Sequence, residues 1–366
     1  MADSTQLEID FGPLEELIND DTISEIMVNG PHDVFIERRG RLEKVSLSFE
    51  SDDHLRSIID RIVSPLGRCP DESSPIVVAR LADGSRVHVI IPPLALVGPT
   101  LTIRKFPKYV LTFDNLLAFG ALNEDMADFL KACVKARLNI LVAGGVGSGK
   151  TTLLNVIAST IPAEERIVTV EEMAEFRLMH EHVVALESRP PNIEGKGGVT
   201  VRDLVITCLH MRPDRILVGE LNGPEVLEVL RLMDKGHDGT MTTVHADSPQ
   251  EALERLEMMV KMSEPNLPVS YLRSLIGSAV DLVVQQNRLD DGSRKVVRVT
   301  EVSSVRGGDY DLRDVFLFLE EGYDEQGRVK GSFQARSVSA RLRRRMEALG
   351  LNLPPELVAV TEEERG

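Results

Sequence analysis

A run of glycines set between an apolar segment and a helical one constrains this chain more than any other feature. Residues 144–155 read GGVGSGKTTLLN, directly after NILVA at 139–143. Such a run can serve as a flexible linker or as a phosphate cradle. The flanks decide, because a linker needs neither a buried strand before it nor a helix after it, and both patterns are present. Gly144, Gly149, Lys150 and Thr151 fit the spacing G-x-x-x-x-G-K-[ST]. Glycines let backbone N–H groups turn inward where a Cβ would obstruct them. The first turn of the following helix, KTTLLNVIAST, adds unpaired donors and a positive dipole end. Lys150 is then placed to neutralise β- and γ-oxygens, and the Thr151 hydroxyl to ligate Mg²⁺. The predicted nucleoside triphosphate loop comprises Gly144, Gly145, Val146, Gly147, Ser148, Gly149, Lys150, Thr151 and Thr152.

The segments around this loop predict a largely parallel α/β sheet. A helix (NEDMADFLKACVKARL) precedes the loop, and further strands follow it as RIVTVE, HVVALES, RILVGEL and GTMTTVHA. Apolar strands alternating with helices build such sheets. TVRD at 200–203 and SPQE at 248–251 fit capping boxes, the second with Pro249 at the first helical position. GPEVLEVLRLMDKG places Pro224 just inside a helix start and Gly236 just past its end. The tail adds strand pairs around DDGS and DEQG, then a basic helix, RLRRRMEAL. That helix reads equally as a docking surface for a membrane platform protein and as a solvated face.

The first hundred residues predict a separate, smaller α+β module. DDHLRSIIDRIV puts Leu55, Ile58, Ile59, Ile62 and Val63 on one helical face. DVFIERRGRLEKVSLSF predicts a hairpin turning near Gly40, and IVVARLADGSRVHVII a second one turning at Asp83-Gly84. LTIRKF predicts another strand, and PKYVLT a linker.

Hydrolysis at a phosphate loop needs acids at the ends of neighbouring strands. RILVGE delivers Glu220 after an apolar run, where a metal-coordinating acid belongs, and RIVTV delivers Glu171, Glu172 and, one turn later, Glu175. A carboxylate there can orient the attacking water and take its proton; the other reading of the 171–175 group is solvated charge. His237 and His245 flank the polar strand of GHDGTMTTVHA. They read as ordinary core or surface histidines, or as sensors for the γ-phosphate or the next subunit. Arg80, Arg86 and Arg104 lie in strands of the first module. They read as surface charge on an acidic protein, or as a cationic clamp over a triphosphate.

Composition excludes several classes. A net charge of −16 over 366 residues argues against a general nucleic-acid binder and against wholesale adsorption to anionic lipid. Cys69, Cys133 and Cys208 show no metal spacing. They suit a reducing cytoplasm, packing as small apolar residues. MADSTQLEID has neither the basic patch nor the apolar stretch of a secretory signal, and no apolar run approaches a membrane span. The expectation is a cytoplasmic protein with no membrane insertion of its own.

The stretches GGVGSGKTTLLN, RPPNIEGKG, MRPDRILVGE, GHDGTMTTVHADSP and VVQQNRLDDGSRKV resemble the secretion ATPases of type II and type IV systems. Within them the chain is most similar to the CpaF-type ATPase of tight-adherence (Flp) pilus assembly. The first module agrees through EIMVNGPHDVFIERRGRL, RIVSPLGRCPDESSPIV and IIPPLALVGPTLTIRKF, so the resemblance runs from about residue 14 to the tail. It implies an N-terminal α+β domain (1–107), a linker (108–112) and a RecA-like P-loop ATPase domain with a C-terminal extension (113–366). It further implies a hexameric ring, nucleotide held between the domains, and hydrolysis that moves them as rigid bodies. The implied partners are further copies of the chain and an inner-membrane platform protein that recruits it. A DNA translocase or helicase is a rival reading, since many RecA-like rings move nucleic acid. The net charge and the absence of a basic, aromatic-lined groove in the sequence oppose it. By position, residues 144–152 match the Walker A loop and Glu220 the Walker B acid. Glu171, Glu172 and Glu175 match the Asp box, with Glu175 as general base. His237 and His245 match the His box, and Arg80, Arg86 and Arg104 match arginines reaching the γ-phosphate.

Four positions depart from that pattern. EEMAE has Glu172 where aspartate is usual, and VGELNG has Asn222 where the Walker B strand is usually followed by arginine. Asp247 stands for the asparagine of HAN, and Val146 for the loop threonine. An asparagine can hydrogen-bond but cannot hold two carboxylates by charge. Slow turnover and compensation by a neighbouring base therefore both remain open. So does a rival role, that of an ATP-binding regulatory subunit with little or no hydrolysis.

Overall fold

Apolar–polar alternation builds the first of two units, which divide between Tyr109 and Val110 in the computed structural model. The structure describes residues 9–38, 40–106, 109–191, 196–351 and 353–358. Part of the expected linker, and four residues of RPPNIEGKG, lie outside them. The first unit holds strands β1 (Ile23–Asn29), β2 (Val34–Arg38), β3 (Arg41–Val45), β4 (Ile76–Arg80), β5 (Arg86–Ile90) and β6 (Thr100–Arg104). They form one sheet in the order β3-β2-β1-β6-β5-β4, antiparallel throughout. Ile26, Val28, Val34, Ile36, Val87, Val89, Leu101 and Ile103 are buried with the helix Asp52–Val63 in one core. That helix buries the five residues its spacing predicts and starts at Ser51, whose hydroxyl accepts the His54 N–H. Both expected hairpins form, with Gly40 and Gly84 in the left-handed region their turns require.

The second unit contains β7 (Ile140–Gly144), β8 (Ile167–Glu171), β9 (Val183–Glu187), β10 (Arg215–Leu221) and β11 (Met241–His245). It continues with β12 (Leu282–Arg288), β13 (Arg294–Arg306), β14 (Asp309–Tyr323) and β15 (Val329–Ala335). The order is β15-β14-β13-β12-β7-β11-β10-β8-β9. From β12 to β9 all neighbours are parallel, and from β12 to β15 they are antiparallel. Both faces of β7 are covered, which is why its sequence is continuously apolar rather than alternating. Ile140 and Val142 join a core with the helices Glu124–Lys135 and Lys150–Ala158. Leu141 and Ala143 join another with the helices Glu225–Asp234, Pro249–Ser263 and Val269–Ala279.

Local details correct parts of the sequence reading. Thr200 and Asp203 form a reciprocal capping box, whereas Ser248 accepts from Glu251 N–H while the Glu251 carboxylate accepts instead from Asp247 N–H, 2.9 Å away. Pro224 is the N-cap, one position before the helix, and the Glu225 carboxylate accepts the N–H groups of Asn222 and Gly223 that lead into it. Cys133 and Cys208 are buried, but Cys69 is exposed. The basic helix Ala340–Ala348 is not simply a solvated face: Leu342 and Met346 are buried, and Arg341 and Arg345 each lie 3.5 Å from the Asp281 carboxylate. Arg345 also donates to the Ala136 and Arg137 carbonyls, so the helix is tied to its own unit.

Candidate functional site

The glycine loop leaves the end of β7 at a point where only glycine fits. A Cβ on Gly144 would stand 2.2 Å from the Gln286 carbonyl oxygen and 2.5 Å from Ser148 Oγ. Gly147 and Gly149 have φ of +69° and +93°, values that L side chains rarely adopt. Gly149 caps the helix Lys150–Ala158 without any side-chain bond, leaving the first-turn N–H groups for a ligand. Lys150 is only 8% exposed, and its ammonium donates to the Gly145 carbonyl at 3.2 Å and lies 3.6 Å from Glu220 Oε1. The Ser148 hydroxyl is buried and has no hydrogen-bond partner among the described residues. Burying a cation and an unsatisfied hydroxyl beside a glycine cradle is costly. A bound triphosphate would offset that cost, and Val146, 86% exposed at the loop tip, leaves room for one.

Parallel pairing brings the acids to the same edge as the loop. His245 pairs with Gly144, and β10 and β8 follow β11 in the sheet, so their C-terminal ends align. Glu220 lies one residue before the end of β10 and is solvent-exposed. Glu171, at the end of β8, is buried and is not a solvated charge. Its Oε1 accepts the N–H groups of Glu175 at 2.7 Å and Phe176 at 2.9 Å. Burial pushes the Glu171 carboxyl up to about 7, the two N–H bonds pull it back, and the carboxylates of Glu175 and Glu187 push it up again. Glu175 is half-buried and Glu172 exposed. Asn222 Nδ2 donates to Glu172 Oε2 at 3.4 Å, a long bond to a single carboxylate.

His237 does not reach this edge. It precedes β11, which runs parallel to β7, so it falls at the opposite end of a strand about 16 Å long. There its carbonyl accepts the Thr240 hydroxyl, beside Asn139, whose side-chain oxygen accepts from the Gly239 and Thr240 N–H groups.

Three arginines separated in sequence form one row in the first unit. Arg80 pairs with Arg86 and Arg86 with Arg104, directly across β4, β5 and β6. The row continues through Glu25 and Glu37. Burial pushes the Glu25 carboxyl up; Arg104 draws it down and Glu37 raises it. The Arg80 guanidinium lies 5.9 Å from the Phe106 ring centre. Like charges set directly opposite one another in a sheet are unfavourable, and Glu25 across from Arg104 offsets part of that charge.

The far flank of the loop is not among the residues that the sequence singles out. Gln286 touches it through the close approach at Gly144, and Arg294 Nε donates to the Gly147 carbonyl at 3.0 Å. The only sequence signal was the pair of arginines bracketing the turn LDDGS.

A glycine cradle at a strand–helix junction, in a parallel sheet with acids on neighbouring strand ends, defines a RecA-like P-loop fold, here preceded by a smaller α+β domain. This chain belongs to the type II/IV secretion system protein family, whose model matches residues 8–338. The type IV secretion system protein PtlH of Bordetella pertussis is 35% identical over 328 residues, covering 81% of this chain and 95% of the relative. VirB11 of Bartonella quintana is 31% identical over 326 residues, covering 78% and 90%. The same fold is seen in the Legionella pneumophila ATPase DotB, with a TM-score of 0.54 and 21% identity over 77% of each chain. The pilus retraction motor PilT with bound ADP gives a TM-score of 0.55 and 17% identity, covering 92% of this chain and 86% of that one.

Proposed function

We propose that this protein is a P-loop ATPase that powers assembly of a tight-adherence (Flp) pilus of the CpaF type. It works as a ring, expected to be a hexamer, recruited from the cytoplasm to the inner membrane by a platform protein, without inserting in the bilayer and without nucleic acid. One observation carries the catalytic reading: buried Lys150 and a glycine cradle lie on the same sheet edge as Glu220 and the loop that Glu171 ties down.

Gly144 to Thr152 would wrap the β-phosphate with backbone N–H groups, while Lys150 neutralises the charge on β- and γ-oxygens. Mg²⁺, held by the Thr151 hydroxyl and through water by Glu220, would supply further charge neutralisation there. Glu175 orients water for attack in line with the leaving oxygen and accepts its proton. Glu172 and Asn222 hold the turn before it. His245 stands at the end of the neighbouring strand to sense the γ-phosphate, and His237, at the opposite end, fits only a contact with the next subunit. The row Arg80, Arg86, Arg104 is a cationic surface able to close on the triphosphate when domains move as rigid bodies.

Deleting the gene and restoring it tests this reading. The wild type should return surface pili, Lys150→Ala should not, and pili restored by Lys150→Ala would overturn it. The long Asn222–Glu172 bond favours a second reading, an ATP-binding regulatory subunit with little turnover. Phosphate release at background level by the purified wild-type ring would select it.

A further inference from the structure

The flank of the glycine loop opposite the acids is built from β12 and β13, and it sets Arg288 and Arg294 beside the loop. Asp290 and Asp291, in the turn between them, are bonded to the Tyr323 hydroxyl and the Val329 N–H. β12 runs parallel to β7 up to the pair Gln285–Ala143, so the residues that follow, Gln286 to Arg288, continue alongside the loop. The chain then turns at 289–293 and returns with Arg294 directly opposite Arg288. Arg294 Nε donates to the Gly147 carbonyl at 3.0 Å. A methyl placed on Gly147 would stand 3.6 Å from an Arg288 guanidinium nitrogen, and one on Gly149 would stand 3.2 Å from Arg294 Cδ. Two guanidinium groups from one hairpin therefore stand on the loop backbone.

The sheet order gives the site a polarity. β12 adjoins β7 on one side, while β11, β10 and β8, with Glu220 and Glu171, lie on the other. Glu220 would hold Mg²⁺ through water and the 171–175 segment would hold the attacking water, so the phosphate to be transferred belongs on their side. The phosphates that stay with the nucleoside belong beside the arginines, whose planar fork matches phosphate oxygens. A P-loop also needs its carbonyls turned outward so that its N–H groups face the ligand. Arg294 holds the Gly147 carbonyl in that sense.

We propose that Arg288 and Arg294 form the cationic wall for the α- and β-phosphates, the part of the nucleotide common to ATP and ADP, with Arg294 also fixing the loop. This rests on the nucleotide reading of the loop. Arg288 binds; Arg294 binds and positions.

Titration of the full-length protein with a fluorescent ADP and a non-hydrolysable ATP analogue, together with steady-state phosphate release, tests it. Arg288→Ala and Arg294→Ala should each weaken both nucleotides by about tenfold, with KM raised in step and kcat within about twofold. Arg288→Lys, which keeps the charge, should recover part of the loss. Arg288 is exposed, so its variants carry the test if Arg294→Ala fails to fold. Unchanged ADP affinity in Arg288→Ala would overturn the proposal, as would a loss confined to kcat. A wild-type protein that binds neither nucleotide would remove the underlying reading itself.

Discussion

Glu171 Oε1 accepts the backbone N–H of Glu175 at 2.7 Å, so a buried carboxyl at a strand end sets the path of the segment that carries the proposed base. Glu171→Ala would leave the N–H groups of Glu175 and Phe176 without their acceptor, at about 1–3 kcal/mol each. Turnover should fall at least tenfold while ADP affinity changes less than threefold. Glu171→Gln, which keeps a carbonyl acceptor, should retain most activity. Phosphate release and ADP titration on the two variants check this.

The same carboxyl gives a pH dependence with a definite sign. Its folded value of about 7 lies above the ordinary glutamate value of about 4.5, so between the two the folded state holds more protons than the unfolded one. Its contribution is therefore fully present below about pH 4.5 and is lost as pH rises through about 7, a change of about 3 kcal/mol. Denaturant titrations at pH 5 and pH 8 should show wild type losing stability relative to Glu171→Gln at the higher pH. An equal difference at both pH values would contradict it.

Asn222 makes one long, uncharged-donor bond to the Glu172 carboxylate. Asn222→Arg should raise turnover severalfold by adding a charge-assisted, forked donor. The gain should vanish when Glu172→Ala is added, a double-mutant cycle read by phosphate release.

Arg215 is fully buried at the start of β10, bonded to Glu165 Oε2 at 2.5 Å and to the Val134 carbonyl at 2.8 Å. Removing only Glu165 strands that cation, so Glu165→Ala should cost about 3–5 kcal/mol in denaturant titration. A cost below 1 kcal/mol would mean that solvent reaches the guanidinium.

The loop was legible because its whole signature is local: strand, glycines, lysine and helix are contiguous. The helix face from Leu55 to Val63 was legible for the same reason. What depends on register was not. The three arginines can be picked from the sequence, but only the pairing of β4, β5 and β6 makes them a row. His237 and His245 look equivalent in sequence, yet His245 ends β11 and His237 lies before its start, at the opposite end of the strand. β1, central in its sheet, follows Glu15–Asn19 without the glycine or proline that marks the other strands. The arginines of β12 and β13 lie about 140 residues beyond the loop they touch, and no local pattern links them to it.

Calorimetric titration of a magnesium–ATP analogue into wild type and Lys150→Ala tests the central claim most directly. Saturable binding at one site per chain in the wild type, weakened at least a hundredfold in a still-folded Lys150→Ala, is the result the account predicts. Equal affinity in both proteins, or no binding to the wild type, would contradict it.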